Sequence, residues 1–298
     1  MMITETSYSS PSQVLSPRQL AQVIGASESS LKRWIDGGQL IAARTTGGHR
    51  RVTLAEAIRF IRDHQHPISD PTPLGLAALD DLSDTTIEQR LDLALRAGDG
   101  AAARTLFVSA YAAGMPIAQL CDGPLRQVME RIGEIWLKDG NVDAGIAIEH
   151  QATTTCMQAL HHLHAYLPAV HDDAPVALGG APTNDPYLIP SLMASVVFSE
   201  CGYRTFNLGP QTPLEALRNA ALRQRPKIVW LSVSTSDALN GLRQPLLRLA
   251  DELATLGSAL VVGGRHSQEL GLDTRANLLR ARTLTEAASY ARGLLARR

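Results

Sequence analysis

The chain has 298 residues, 45% hydrophobic, 19% charged and 4% aromatic, with a formal net charge of −1. At about 100–200 residues per domain this predicts two or three domains, with cores built mainly from Ala, Leu, Ile and Val. The balance excludes an overall polycation. No apolar run is long enough to span a bilayer, and the opening MMITETSYSSPSQ lacks a basic-then-apolar signal pattern. Cys121, Cys156 and Cys201 are scattered without CxxC spacing, which argues against a disulfide framework or a zinc site and predicts a cytoplasmic protein.

Residues 1–13 are polar and Ser-rich and read as a disordered tail. Segment 14–66 reads as a small DNA-binding domain. Ser16-Pro17 starts a helix, Leu20, Val23 and Ile24 share one face, and Gly25 stops it. A second helix runs from Ser27 to about Asp36 and ends at Gly37-Gly38. Leu40–Ala43 and Arg50–Thr53 read as two short strands around Thr45-Thr46-Gly47-Gly48, and Leu54–Arg62 as an amphipathic helix. Helix, glycine turn and helix place the second helix in a major groove, with the hairpin as a wing. Within 14–66, eight Lys/Arg less four Asp/Glu leave +4, the electrostatic footprint of a phosphate-binding surface. Ser29, Lys32 and Arg33 face outward on the second helix, and Arg44, Thr45, Thr46, His49, Arg50 and Arg51 line the wing. Trp34 is assigned to packing beneath the hairpin.

Residues 67–85 hold several prolines and little periodicity and read as a linker. Residues 86–168 are dominated by helical periodicity, about four helices punctuated by Gly98, Gly114 and Gly140. From 174 to 298 short apolar runs alternate with helices. The runs are Val176–Gly180, Arg204–Leu208, Ile228–Val233, Ala259–Val262 and a weak one near Ala281–Leu284. That alternation predicts a parallel sheet in a doubly wound α/β domain. His150, Met157, His161 and His164, at offsets of 7, 11 and 14 residues, fall on one helical face. They could offer axial ligands to a haem or corrinoid, or line a polar seam. Cys201, before Gly202, is assigned a structural role.

Three resemblances cover nearly the whole chain from residue 14. The segment SPRQLAQVIGASESSLKRWIDGGQLIAARTTGGHRRVTLAEAIRFIR resembles the N-terminal domain of MerR-type regulators, in particular the subset bearing GGHRR. The resemblance implies DNA contacts at Lys32, Arg33, Arg44, Thr45, His49, Arg50 and Arg51, made from a homo-oligomer, since one such head buries little surface. The segment from Arg96 to Thr153 resembles the four-helix cap of cobalamin-binding modules. Trp136, Glu149 and His150 match the residue types that cover a corrinoid there, at a longer spacing. The C-terminal part resembles the Rossmann-like B12-binding domain, whose signature is Asp-x-His-x-x-Gly, Ser-x-Leu and Gly-Gly. Asp185 to Pro190 occupies the first motif, 41 residues precede Ser232-Val233-Ser234, and 28 more precede Gly263-Gly264. The combination resembles the cobalamin-dependent, light-responsive repressors of the CarH/LitR type.

The chemistry departs from that pattern. Tyr187 stands where the family has its cobalt-ligating His, and a phenol is a poor ligand while it keeps its proton. Asp185 would then have no imidazole to orient. Pro190 replaces the motif glycine, and Ser234 replaces the leucine. Two readings remain open. Either cobalamin binds without a protein ligand below the metal, or the pocket takes haem, another tetrapyrrole, a different small molecule or nothing. The expected architecture is therefore multidomain α and α/β, with a winged helix-turn-helix, a four-helix bundle and a Rossmann-like doubly wound sheet. The expected protein is a regulator rather than an enzyme. It binds double-stranded operator DNA as a dimer or tetramer and has no membrane partner.

Overall fold

The computed structural model describes residues 13–76, 83–134 and 142–296. The chain divides into two compact units, Met1–Pro116 with Gly123–Leu167, and Ile117–Asp122 with Pro168–Arg298.

The first unit opens with strand β1 (Val14–Leu15), helices α1 (Pro17–Ile24) and α2 (Glu28–Asp36), strands β2 (Ala43–Arg44) and β3 (Arg50–Thr53), and helix α3 (Leu54–Asp63). Side-chain chemistry sets these boundaries. Ser16 and Gln19 form a capping box at α1, and Gly25 ends that helix at φ +65. Ser27 caps α2 by accepting from the Ser30 N–H, and Thr53 caps α3 by accepting from the Glu56 N–H. Leu20, Val23, Ile24, Leu31, Leu40, Val52, Leu54, Ile58 and Ile61 are all buried and form this segment's core. The strands make an antiparallel sheet in the order β1-β3-β2.

Three details differ from the sequence reading. Strand β2 lies at Ala43–Arg44 rather than Leu40–Ala43, because Leu40 drops into the core and the Ile41 N–H donates to Glu56 Oε1 at 2.7 Å. The two-residue β1 is too short to leave a periodic signal. The stretch after α3, read as linker, is ordered through residue 76 and runs back along α1. The Ser69 N–H donates to Val23 O at 2.7 Å, Gln22 Nε2 donates to Asp70 Oδ2 at 2.7 Å, and Leu74 is buried.

The rest of the first unit is helical: α4 (Asp84–Ala97), α5 (Gly100–Ala112), α7 (Arg126–Gly133) and α8 (Val142–His164), with the short α6 (Ile117–Leu120) belonging to the second unit. Helix α4 packs on α5, α7 and α8, and α8 packs on α5 and α7. Ser83 caps α4, Asp99 caps α5, and Gly98 at φ +64 makes the sharp turn between them. Helix α3 packs on α5, where the Arg62 guanidinium lies 3.7 Å from the centroid of the buried Tyr111 ring. Arg62 Nη1 also donates to the carbonyls of Tyr111 and Met115.

The second unit is a five-stranded parallel sheet of β4 (Val176–Gly180), β5 (Arg204–Asn207), β6 (Ile228–Ser232), β7 (Ala259–Gly263) and β8 (Leu278–Arg280) in the order β5-β4-β6-β7-β8. The connecting helices are α9 (Ile189–Glu200), α10 (Leu214–Gln224), α11 (Arg243–Thr255) and the closing α12 (Leu284–Ala296). This is a Rossmann-like doubly wound arrangement. Leu178, Val229, Leu231, Leu260 and Val262 join residues of α10 and α11 in one apolar cluster. On the opposite face Trp230 packs against Phe198 of α9 with ring centroids 5.5 Å apart, and the Tyr203 hydroxyl donates to Ala291 O of α12 at 2.7 Å. Strand β8 precedes the weak run expected near Ala281–Leu284. It is an edge strand with only half-buried leucines, so its apolar signal is diluted, although the Ala281 N–H still pairs with Val262 O at 2.9 Å. Segment 117–122 is fastened within this unit. Glu200 accepts from the Ile117 N–H, and Asp122 accepts from the Leu284 and Thr285 N–H groups at 2.7 and 2.8 Å, capping α12.

All three cysteines are free and buried. Among the described residues no helix is long and apolar enough to cross a membrane.

Candidate functional site

The residues singled out near the N-terminus gather on α2 and the β2–β3 hairpin. Ser29, Lys32, Arg33, Arg44, Thr45, Thr46 and His49 are exposed, whereas Arg50 and Arg51 are half-buried. Lys32 is paired to Glu28 at 3.5 Å, an exposed i,i+4 pair worth a few tenths of a kcal/mol. Arg33 and Arg44 have no side-chain partner among the described residues. The tip is a tight turn. Thr45 N–H donates to His49 O at 2.9 Å, Gly48 N–H donates to Thr45 O at 2.8 Å, and Gly48 sits at φ +77. Arg50 does something different from its neighbours: its guanidinium pairs with Asp36 at the end of α2 and reaches Lys32 O. It braces the hairpin against α2. Trp34 packs at a tilt against Phe60 and His66, with ring centroids 5.3 and 5.2 Å away, so it anchors α2 to α3 and the segment after it.

In the second unit the strand order reverses at β4, since β5 lies on one side of it and β6 on the other. Ligands of such sheets bind at the carboxyl ends of the strands beside this reversal. Asp185 in the loop after β4 is fully buried, and it is tied across the reversal to the loop after β6. Its Oδ2 accepts from the Ser234 N–H at 2.5 Å and its Oδ1 from the Tyr187 N–H at 3.2 Å. Burial pushes this carboxyl above its ordinary value, against the opposing pull of the Ser234, Tyr187 and Thr235 N–H groups and of His266. Tyr187 itself is 48% exposed. Ser232 and Ser234 approach each other at 3.4 Å between hydroxyls. Gly263 ends β7, and Gly264 is pressed against the loop after β6. A Cβ at 264 would lie 2.4 Å from Val233 O, and φ there is +100.

Below this rim the α9 face of the sheet is full. Trp230 is 2% exposed and sits over Gly179, where a Cβ would come within 2.1 Å of the indole. Trp230 Nε1 donates to Ser191 Oγ at 3.1 Å, and that hydroxyl donates to Asn207 Oδ1 at 2.8 Å. Trp230 thus fills the space between α9 and the sheet at Gly179. Loop 181–190 holds no imidazole, and its Asp185 is already satisfied by backbone N–H groups.

Sequence reasoning missed the pair that follows Gly263-Gly264. His266 Nδ1 is 2.8 Å from Glu269 Oε1, and the His266 N–H donates to Val233 O at 3.0 Å. The three-residue spacing in RHSQE was a signal, but only the observed turn at 267–270 makes it a contact.

In the first unit, Glu149, Met157 and Thr153 on α8 are half-buried and His150, His161 and His164 are exposed. His164 is lowered from the usual imidazole value, first by partial burial and then by its neighbour His161. Among the described residues no group of three His, Cys, Asp or Glu side chains is placed to hold a metal. Trp136 lies outside the described residues.

No protein-family model matches the chain, and no curated protein matches it. Solved structures do. The Methanosarcina barkeri monomethylamine corrinoid protein superposes with a TM-score of 0.53 at 20% identity, over 71% of this chain and 100% of that one. A novel cobalamin-binding protein from Desulfitobacterium hafniense DCB-2 gives 0.35 at 19% identity, over 72% of this chain and 93% of its own. The methanol:cobalamin methyltransferase complex MtaBC from Methanosarcina barkeri gives 0.36 at 16% identity, over 91% and 93%. The first likeness is one of fold: a corrinoid-protein-like architecture occupies most of the chain.

Proposed function

Starting from that shared architecture, we propose that the chain is a ligand-responsive DNA-binding regulator. Residues 14–66 would be a MerR-like winged helix-turn-helix head and 67–85 its tether. Residues 86–168 would be a four-helix bundle of the B12-cap kind, and 174–298 a Rossmann-like sensor module that binds a flat tetrapyrrole, either a corrinoid or haem, at its strand ends. One observation carries the DNA-binding part. A capped helix entered through a glycine turn exposes Lys32 and Arg33, and the next hairpin has a glycine tip flanked by exposed Arg44 and His49. Helix N-termini and small-residue tips admit close approach to phosphates, and the arginines neutralise them. A single head covers little DNA, so the working form is a homo-oligomer.

The test is fluorescence anisotropy of a labelled duplex over a salt series. Wild type binds with a steep salt slope, and Arg33→Ala and Arg44→Ala each reduce that slope by about 1. Absence of binding at low salt, or unchanged slopes in both variants, rejects the reading. The fold likeness to the monomethylamine corrinoid protein favours a second reading, a corrinoid carrier serving a methyl-transfer partner. Corrinoid-dependent methyl transfer without DNA affinity would establish it. A sensor fold that takes no ligand and serves as an oligomerising scaffold would bind DNA equally in every ligand and light state.

A further inference from the structure

The second unit contains two histidines, His171 and His266. His171 precedes β4 and so stands at the amino end of the sheet, away from the rim where a ligand would lie. His266 follows β7 at the carboxyl end. Its backbone is bonded to Val233, the residue beside Ser234, which in turn holds Asp185. The turn is held in place, since Gly264 touches the Val233 backbone and the Ser267 hydroxyl donates to Gly264 O at 2.8 Å. His266 therefore reaches the same rim from a third loop.

The side chain is also set up electronically. With the proton on Nδ1 shared with Glu269, the lone pair remains on Nε2, which has no partner among the described residues. A carboxylate hydrogen-bonded to one ring nitrogen orients the imidazole and leaves the other nitrogen to face a metal, the arrangement usual for metal-bound histidine. Tyr187 offers a phenol instead, which binds a metal well only after losing its proton.

We propose that His266, oriented by Glu269, is the protein's nitrogen ligand to the metal of a macrocycle seated on this rim. The inference rests on the tetrapyrrole reading above and names the contact that reading leaves open. Ligation is a simple exchange. The Nε2 lone pair displaces a water bound to the metal, and no electron is transferred.

Cobinamide, a corrin without its own nucleotide base, is the discriminating probe for the full-length protein, with haemin as a second macrocycle. Any axial nitrogen on cobinamide must come from the protein. Reduced to Co(II), the wild-type complex shows nitrogen splitting in its EPR spectrum. Tyr187→Phe keeps the splitting, and His266→Ala loses it and regains it with added imidazole. Glu269→Gln, an exposed change that leaves the fold intact, weakens binding by about 10-fold or more. Splitting that survives His266→Ala, or cobinamide bound without any nitrogen, overturns the inference and leaves the tetrapyrrole reading standing. Failure of both cobinamide and haemin to bind wild type overturns the two together.

Discussion

Replacing Gly264 with alanine adds one methyl group at the tightest point of the candidate rim. Two separate penalties follow. The backbone at φ +100 is a conformation that L side chains rarely adopt, which costs about 1–3 kcal/mol. The new Cβ would also stand 2.4 Å from Val233 O and 2.5 Å from Val233 N, so backbone must move, adding about 1–3 kcal/mol of overpacking strain. Gly257 provides the control. It has φ +69 and nothing within 4 Å of its would-be Cβ, so alanine there meets the backbone penalty alone, about 1–2 kcal/mol. With a slope of about 2 kcal/mol per molar urea, the steric part moves the midpoint of Gly264→Ala roughly 1 M below that of Gly257→Ala. The assay is urea unfolding followed by Trp230 fluorescence in a Trp34→Phe, Trp136→Phe background. Equal midpoints for the two variants would refute the claim that the 264 turn is wedged against the loop after β6.

The buried Asp185 carboxyl has a raised affinity for its proton, so its contribution to stability is greatest below the ordinary value of 3.8 and falls as pH rises through the shifted one. The stability of wild type relative to Asp185→Asn should therefore decline with pH across that interval and then level off, and a rise would contradict the assignment. Arg62→Ala should destabilise the first unit by about 1–3 kcal/mol through loss of the Tyr111 stack and the two carbonyl contacts. Arg62→Lys should recover less than half of it, since an ammonium cannot lie flat on the ring. Thermal melts of the three proteins decide, and full rescue by Lys would remove the stacking argument. Burial pushes the Cys156 thiol up to about 12 and the Cys201 thiol up to about 11. An aromatic disulfide reagent at mildly alkaline pH should label neither until the protein is unfolded, and prompt labelling of native protein would show that these sites open.

Local chemistry was legible where one residue decides the outcome. Ser16 and Ser27 cap helices as their positions predict, Gly25 ends α1, and the continuous apolar runs of β4, β6 and β7 announce a sheet covered on both faces. Edge elements were harder. Strands β1, β2 and β8 are two or three residues long and half exposed, so tertiary pairing, not periodicity, determines them. Side-chain partners were hidden for a similar reason. Arg50 reads as another wing cation until Asp36 is seen beside it, and Trp34 reads as hairpin packing until Phe60 and His66 are. His266 and Glu269 become a pair only because a short turn curls Ser267–Leu270.

The cap that Asp122 places on α12 bridges 162 residues of sequence. The chain passes from the first unit into the second at 117, returns at 123 and leaves again at 168, so neither unit is one continuous stretch. During synthesis the segment Ile117–Asp122 emerges long before the helix it caps, and the second unit cannot complete its packing until α12 has been released. A fragment starting at 168 would leave the α12 amino end without its carboxylate and Glu200 without the Ile117 N–H. Gene fragments cut at 168 should yield poorly folded protein, and co-expressing the two halves should restore it.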